Sequence, residues 1–434
     1  MPKSKRLTEL ATPFASVVVE LEQETSFVKE LRGNALAQFN SYGLPAKKEE
    51  DWKYTSLWGF SQQQFSHQAI PHTVSQAQTE QLALLKQAYR VVIVDGVFSN
   101  ELSQIDNLPT GLTVSSLAEG LASVQSHLGG QINIEKAGFN ALNTMLMNDG
   151  VVITVAKGIN IEQPIELLVI NSGATENLAT HLRNVIVLEE NSQVTVIEHY
   201  VGLSDIQYLT NVVTEVVLAK SAELTHYKLQ QESENAFHIA TLAASQAAHS
   251  QWKTNSISLG AKLARNDVHT QLLGEQAHVV MDGLYLLNNK QHSDFHTRID
   301  HAVPNTTSEE LFKGVIDDKG HGVFNGKVIV HKDAQKTDSN QQNHNLLLSR
   351  NCEIDSKPEL EIYADDVKCA HGSTVGQMNE DHLFFLRTRG LDEVSARNLL
   401  TYAFAVEVLE RIPAGDIRKA LSAVVEQRLP QGGQ

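Results

Sequence analysis

Two residues with metal-binding side chains, Cys369 and His371, lie two positions apart near the carboxyl end of the chain. They belong to the segment KPELEIYADDVKCAHGST, whose composition predicts a strand over residues 360–363 and a second extended run that ends at residues 371–372. Because side chains alternate between the two faces of a strand, Val367, Cys369 and His371 face the same way, with the Cα atoms of the last two roughly 6–7 Å apart. A thiolate and an imidazole suit iron, zinc or copper. The pair is therefore a candidate for holding one metal ion or one sulfur species.

Cys369 and His371 supply only half of a typical metal site. Zinc ions and iron–sulfur clusters usually take four protein ligands. Either other histidines of this chain or residues of a second chain must complete the site. The alternative interpretation is a buried cysteine beside a histidine of the core or its rim, because free cysteines are often buried as small apolar residues.

A group of three histidines, His292, His296 and His301, offers a second candidate metal site. Their spacings of four and five residues would suit a helix, but the surrounding sequence is typical of strands and turns. With 18 histidines in the chain, such clusters also arise by chance. The alternatives are a stand-alone metal-binding protein and histidines with hydrogen-bonded structural roles.

Two pairs of adjacent carboxylates, Asp317–Asp318 and Asp365–Asp366, are candidates for general acid–base chemistry. They support the alternative of an independent β-helix enzyme that acts on polysaccharide or transfers acyl groups. Adjacent residues on a strand face opposite ways, however, so neither pair is a ready-made catalytic dyad.

The composition is that of a folded protein with an acidic surface. The 434 residues are 41% hydrophobic and carry a formal net charge of −16, which argues against nucleic acid or an anionic membrane as the main partner. Two cysteines rule out a disulfide framework and fit a reducing compartment. Glu20 and Glu22 interrupt the only apolar run near the basic start of the chain, and no stretch reaches the length of a membrane span. We therefore expect no signal peptide and a cytoplasmic protein.

Helical patterns occupy both ends of the chain. Residues 8–40 are predicted to be helical and to stop at Gly43 and Pro45, and residues 61–90 are helical by propensity. After residue 377, three helices are predicted: 379–389, one from about 393, and a last one after Pro413. The second of these is expected to bury Leu399, Tyr402, Val406 and Leu409.

Short strands without intervening helices fill the middle of the chain. The first is predicted at Tyr89–Val94, and from about residue 151 Val- and Ile-rich runs follow one another for about 200 residues. Small or polar turn motifs recur at Asn191–Ser192, Ser221–Ala222, His249–Ser250 and Ala277–His278. Counted on the second residue of each pair, the gaps are 222 − 192 = 30, 250 − 222 = 28 and 278 − 250 = 28 residues. Such a period indicates stacked coils. The fold class is thus mainly β, a parallel β-helix over residues 89–376, between helical regions at 1–88 and 377–434.

Two long segments resemble a known family. FKGVIDDKGHGVFNGKVIVHKDAQKTDSNQQNHNLLLS and KPELEIYADDVKCAHGSTVG resemble the core signature of the SufB/SufD family. The terminal segments GLPAKKEEDWKYTSL and LFFLRTRGL resemble its SufD branch in particular. The resemblance covers nearly the whole chain and implies a right-handed β-helix between helical regions.

The resemblance also implies a function and partners. It implies a non-catalytic scaffold subunit of the SufBCD complex, on which an iron–sulfur cluster forms transiently, with a role in iron supply and with reduced flavin associated with the complex. The subunit would pair with its SufB paralogue through the β-helix and bind a SufC ABC-type ATPase through its C-terminal helices, at about residues 380–425. It could form a homodimer when alone. His371 would be a cluster ligand at the SufB interface, with Cys369 beside it and the partner chain supplying the rest.

Overall fold

The computed structural model describes residues 25–429, and these form a parallel β-helix of about eight turns with helices at both ends. The predicted fold class is confirmed. The helices are α1 Ser26–Tyr42, α2 Trp58–Ser61, α3 Gln76–Leu82, α4 Leu117–Val124, α5 Gly138–Leu146, α6 Glu380–Thr388, α7 Glu393–Glu410 and α8 Asp416–Arg428, with a 3₁₀ turn at Glu50–Trp52.

Each coil of the β-helix contributes one strand to each of two sheets. The ten-stranded first sheet has the order β19-β17-β15-β13-β11-β9-β7-β5-β1-β2, and the nine-stranded second sheet has the order β18-β16-β14-β12-β10-β8-β6-β4-β3. The strands are β1 Tyr89–Val94, β2 Val97–Phe98, β3 Leu112–Ser116, β4 Val151–Val155, β5 Ile165–Asn171, β6 Ala179–Leu188, β7 Gln193–Gly202, β8 Leu209–Leu218, β9 Glu223–Gln231, β10 Phe237–Gln246, β11 Gln251–Ser258, β12 Leu263–Leu272, β13 His278–Leu287, β14 His292–His301, β15 Thr307–Ile316, β16 His321–Val330, β17 Asp338–Leu347, β18 Glu353–Ile362 and β19 Lys368–Gln377.

The repeat in the sequence comes from the corners between strands. Asn191, Ser221 and His249 have φ values of 58°, 58° and 62°, in the left-handed region that turns the chain sharply. Each one precedes a strand of the first sheet, so the interval of 28–30 residues is one full coil with one strand in each sheet. The predicted period is therefore confirmed.

Apolar side chains from both sheets fill the interior of the coils. Towards the C-terminal end they form a stack of aromatic rings. The ring centroid of Phe295 lies 5.8 Å from that of Tyr285 and 5.3 Å from that of Phe312, and the centroids of Phe324 and Phe312 are 5.0 Å apart. The rings come from four consecutive strands, β13 to β16, which belong alternately to the first and the second sheet, so they tie the two sheets and successive coils together.

The N-terminal helix caps one side of the β-helix. Helix α1 begins after Thr25, whose side chain accepts a hydrogen bond from the backbone N–H of Val28, and it ends at Gly43 with φ 75°. The stop at Gly43 is confirmed, whereas the expected helix over residues 8–24 lies outside the described residues. The helical prediction for residues 61–90 is wrong: only α3 and the end of α2 are helical there, because the polar, Gln-rich stretch has no apolar face to bury.

The C-terminal helices dock on the outer face of the first sheet. Leu409 and Val408 of α7 and Leu421 of α8 pack with Leu284 and Leu311 of the sheet. The predicted stripe on α7 is partly wrong, since Leu399 is 46% exposed while Ala396 and Ala405 are buried. Ala405 packs in the cluster that includes sheet residues, Ala396 packs with Met378 and Leu383, and Leu399 is left exposed.

The last coil of the β-helix has no further coil stacked on it within residues 25–429. Strand β19 pairs only with β17, and β18 pairs only with β16. Most residues of both strands are exposed or half-buried, in contrast to the buried strands before them. Across the described part of the chain, none of the helices combines the length and apolar character that crossing a bilayer requires.

Candidate functional site

Cys369 and His371 both lie on β19, the terminal strand of the first sheet. The parallel register places Cys369 beside Ser339 and His371 beside Gln341 of β17. Ser339 and Gln341 are buried and face the interior, so the two predicted ligands share the inner face of the last coil. Cys369 is half-buried against the hydrophobic core, and His371 is exposed. The strand continues past His371 to Gln377, further than the sequence predicted.

The thiol of Cys369 is held in its neutral form. Burial raises its pKa above the usual value, the nearby Asp338 carboxylate adds to this, and a backbone hydrogen bond with Ser339 acts in the opposite direction. A neutral thiol is a poor metal ligand, because the thiolate is the form that binds metals. Binding of iron at this thiol would therefore require the proton to leave.

A column of side chains in register runs from His371 into the stack of coils. In register along the inner face of the first sheet stand Met281, Glu310, Gln341 and His371, one from each successive coil. The amide of Gln341 donates a 2.5 Å hydrogen bond to the carboxyl of Glu310. Burial raises the pKa of Glu310 to about 7, against a lowering contribution from Thr297 and Gln341. The exposed His371 is thus two coils away from the buried carboxyl of Glu310, with Gln341 between them in the register.

The last two strands meet across the interior at a pair of serines. The Ser356 hydroxyl lies 2.7 Å from that of Ser373 and donates a 2.7 Å hydrogen bond to the side-chain oxygen of Asn343. This contact fixes how β18 and β19 face each other. Cys352, just before β18, therefore lies near the C-terminal end of β19, whereas Cys369 lies near its N-terminal end. At about 3.3 Å per residue the two cysteines are separated by roughly 20 Å or more along the coil. Cys352 is therefore not part of the Cys369 site.

Comparison with known proteins places the chain in one family. Residues 169–404 match the SufBD core domain of the SUF system for FeS cluster assembly, and residues 3–167 match the N-terminal region of SufBD proteins. The chain is 34% identical to the iron–sulfur cluster assembly protein SufD of Escherichia coli over 402 residues, which cover 92% of each chain.

Two further relatives agree. An iron–sulfur cluster assembly SufBD family protein of Synechocystis is 33% identical over 93% of this chain and 92% of its own length. SufD of Bacillus subtilis is 24% identical over 94% and 96%. The chain belongs to the SufB/SufD family. The family resemblance predicted from the sequence is thereby confirmed.

The structure of this SufB/SufD family member does not bring the other predicted metal ligands together. His292 and His296 face outward from β14, where His296 lies 3.1 Å from Asp294. His301 is buried on the inner face and contacts the hydroxyls of Thr306 and Ser308 at 2.8 and 2.9 Å. The three histidines therefore have separate hydrogen-bonded roles.

The paired aspartates lie in exposed corners of the β-helix. Asp318 has φ 49° in the turn before β16, and the Asp317 carboxylate accepts a 2.8 Å hydrogen bond from its backbone N–H. Asp366 lies in the corner between β18 and β19. It forms an ion pair with Lys336, which lies in the corresponding corner of the preceding coil, between β16 and β17. These contacts are those of turn-forming residues.

A buried charged group inside the middle coils was missed by the sequence analysis. The buried Glu198 contacts His226 at 3.2 Å and Tyr200 at 2.5 Å, and Glu232 lies 2.6 Å from His238. The charge of Lys228 interacts with both carboxylates, and its Nζ atom donates a 2.8 Å hydrogen bond to Asn266. Burial lowers the pKa of Lys228 to about 8, and the partners of Glu198 lower its pKa to about 2. The alternation of Glu198 and Tyr200 on β7, and of His226 and Lys228 on β9, could have revealed that these four residues face inward.

Proposed function

We propose that this chain is a non-catalytic scaffold subunit of a SufBCD complex, on which an iron–sulfur cluster forms at the interface with the SufB paralogue. The observation that carries the proposal is the position of Cys369 and His371, together on a terminal strand whose outer edge is unpaired within the described residues. Two ligands at an open edge fit a cluster that a second chain completes, because clusters usually require four.

The open end of the β-helix supports pairing with SufB. Among the described residues, the outer edges of β18 and β19 have no strand partner, and their backbone N–H and C=O groups form a template for strand addition. Exposed apolar side chains at the same end, Ile362, Tyr363 and Val375, would gain burial in such an interface. A second copy of this chain could occupy the same edge when SufB is absent.

The C-terminal helices support binding of a SufC-type ATPase. One side of α7 and α8 is covered by the first sheet, while Phe384 and Phe385 of α6 and Val394 and Leu399 of α7 are exposed. Exposed large apolar side chains grouped on adjacent helices are typical of docking surfaces. We call these four residues the apolar helix surface.

Purification from the native host under anaerobic conditions, followed by mass spectrometry of the associated proteins, tests the scaffold assignment. We expect a SufB paralogue and an ABC-type ATPase in stoichiometric amounts. Recovery of the chain alone, or only as a homodimer, would contradict the assignment and favour an independent β-helix enzyme.

Substitution of His371 tests the proposed cluster ligand. We expect His371→Ala to leave the unfolding temperature unchanged, because the side chain is exposed, and to lower the iron and sulfide content of the assembled complex severalfold. Cys369→Ser should have a weaker effect. The measurements are iron and sulfide analysis with the visible absorption spectrum of the complex.

His331→Ala is the matched control for His371→Ala. It removes a half-exposed imidazole of the preceding coil that contacts Asp300, and it should leave the cluster content unchanged. An unaltered cluster content in His371→Ala would overturn the role of this histidine without affecting the subunit assignment.

A further inference from the structure

A second set of ligand-type side chains stands on the outer face of the second sheet. His292, His321 and Glu353 occupy the first position of β14, β16 and β18 and are in register with one another. Phe295, Phe324 and Ile354 of the same strands face the core, so these three polar residues face outward. Asp355, two residues after Glu353, is on the same face. The site lies at the start of β18 and is separate from Cys369 and His371.

Three of these side chains converge. One ligand atom each from His321, Glu353 and Asp355 lies within 4.8 Å of the other two. The Nε2 atom of His321 is 2.9 Å from a carboxylate oxygen of Asp355. A metal ion with ligands at about 2.1 Å needs ligand atoms no more than about 4.2 Å apart, so a shift of about half an ångström would suffice. Glu353 is exposed and can make that adjustment by rotating its side chain.

The histidine of the triad is held in place from its other side. The His292 ring meets the His321 ring edge to face at 4.6 Å. The His292 Nε2 atom in turn lies 2.9 Å from the hydroxyl of Thr55, which donates to the buried carboxylate of Asp294. The His292 ring therefore restricts the orientation of the His321 imidazole.

The triad opens into a cavity that a ligand can enter. The cavity has a volume of about 440 Å³ and is walled on one side by the N-terminal segment around Tyr54. Four lysines also line it: Lys47, Lys53, Lys262 and Lys290. Their charge opposes a bare cation but favours an anionic ligand that would fill the coordination positions left open by three protein ligands.

We propose that His321, Glu353 and Asp355 form a binding site for a divalent transition-metal ion, of the class of Fe²⁺, Zn²⁺ and Mn²⁺. One imidazole and two carboxylates are a mixed nitrogen and oxygen set, which suits these ions better than a soft, thiolate-preferring one. Three ligands leave room for water or an anion, so the bound metal would remain exchangeable. The site belongs to this chain alone and does not depend on a partner subunit.

Anaerobic titration of the purified full-length chain with Zn²⁺ and with Fe²⁺, followed by calorimetry, tests the site. We expect one equivalent to bind in the unaltered chain and at least about tenfold weaker binding in His321→Ala and in Asp355→Asn. Asp355→Asn keeps the side-chain shape, so it remains informative if His321→Ala disturbs the fold. Far-UV circular dichroism verifies that each variant is folded.

His331→Ala provides the control, because it breaks a similar histidine–aspartate contact of 2.9 Å with Asp300, outside the triad. It should bind the metal as the unaltered chain does. Equal affinity in all the variants, or the absence of a saturable equivalent in the unaltered chain, would overturn the proposal. Neither result would bear on association with SufB or on the role of His371.

Discussion

At the scale of single residues, burial decides which side chains have unusual chemistry. Cys369 and His371 are two residues apart on one strand, yet the thiol of Cys369 packs against the core whereas the imidazole of His371 is exposed. Beneath them, Gln341 connects the inner face of β19 to the buried Glu310. Gly326 makes room for this amide, because a Cβ atom there would lie 2.4 Å from the Gln341 Nε2 atom.

Glu310→Gln is predicted to stabilise the protein at alkaline pH. The pKa of Glu310 is raised from 4.5 to about 7, so its contribution to stability is present in full below pH 4.5 and is lost as the pH rises through 7. At pH 8 the ionised carboxylate costs on the order of 3 kcal/mol. The variant should therefore unfold at a higher temperature than the unaltered chain at pH 8 and at a similar temperature at pH 5.

Thermal unfolding at the two pH values measures this effect. Glu309→Gln is the matched control, because Glu309 precedes Glu310, faces outward and contacts Arg411 at 3.0 Å. The free energy of unfolding of the Glu309→Gln variant should fall by no more than about 1 kcal/mol, and this loss should depend little on pH across this range. A Glu310→Gln variant that gains no stability at pH 8 would show that Glu310 does not carry a raised pKa.

At the scale of elements, the C-terminal helices have one apolar side packed on the sheet and another that is exposed within the described part of the chain. Lys313 of β15 binds α7 to the sheet. Its ammonium group forms an ion pair with the Glu407 carboxylate and donates a 3.1 Å hydrogen bond to the carbonyl of Phe404. Arg411 at the end of α7 adds a 2.9 Å ion pair with Asp282 of β13. These contacts fix the helix on the sheet, so its remaining apolar residues are presented outward in a defined arrangement.

The double variant Phe384→Ala with Phe385→Ala is predicted to weaken binding of the ATPase without destabilising the fold. The two rings are 69% and 55% exposed, so their loss removes little internal packing. Loss of two aromatic anchors typically costs several kcal/mol of binding, and we expect the affinity for a SufC-type ATPase to fall at least tenfold. Calorimetry with the purified ATPase measures the change.

Trp58→Ala is the control for the apolar helix surface. Its ring is 70% exposed and lies in the N-terminal segment, so its removal should not alter ATPase binding. Full affinity in the double phenylalanine variant would place the ATPase site elsewhere on the chain.

At the scale of the whole molecule, the two ends of the β-helix differ. Antiparallel strands β2 and β3 terminate the sheets at one end, whereas at the other β18 and β19 leave an edge of ten residues each. Natural proteins usually shorten or cover such edges to prevent unwanted strand pairing. Two long edges at the same end, which no part of residues 25–429 covers by strand pairing, therefore favour a specific partner at this end.

Val375→Lys is predicted to prevent association through the last coil. Val375 is 51% exposed on β19, and a lysine there would be buried without a counter-charge when a second chain pairs with the strand. We expect the complex with the SufB paralogue, and any homodimer, to dissociate in native mass spectrometry. Val97→Lys on β2 is the matched control, since it is 53% exposed at the opposite edge of the same sheet and should leave assembly intact.

The sequence alone determined the features that depend on local spacing. The interval of 28–30 residues, the first strand at Tyr89–Val94 and the C-terminal helix after Asn379 could be predicted, because turn residues, apolar alternation and helix caps act over a few neighbouring residues. The common face of Cys369 and His371 follows from the same alternation.

The tertiary structure decided what depends on contacts between coils. His321 and Glu353 are 32 residues apart in the sequence, and they meet, together with Asp355, because consecutive coils stack in register. The pKa of Glu310 is near neutrality because neighbouring coils bury its carboxyl group. Leu399 faces outward because Ala405, Val408 and Leu409 of its helix are the residues that pack against the sheet. Local patterns specify the strands and helices, whereas the stacking of those elements sets which side chains meet, which are buried and which edges remain open.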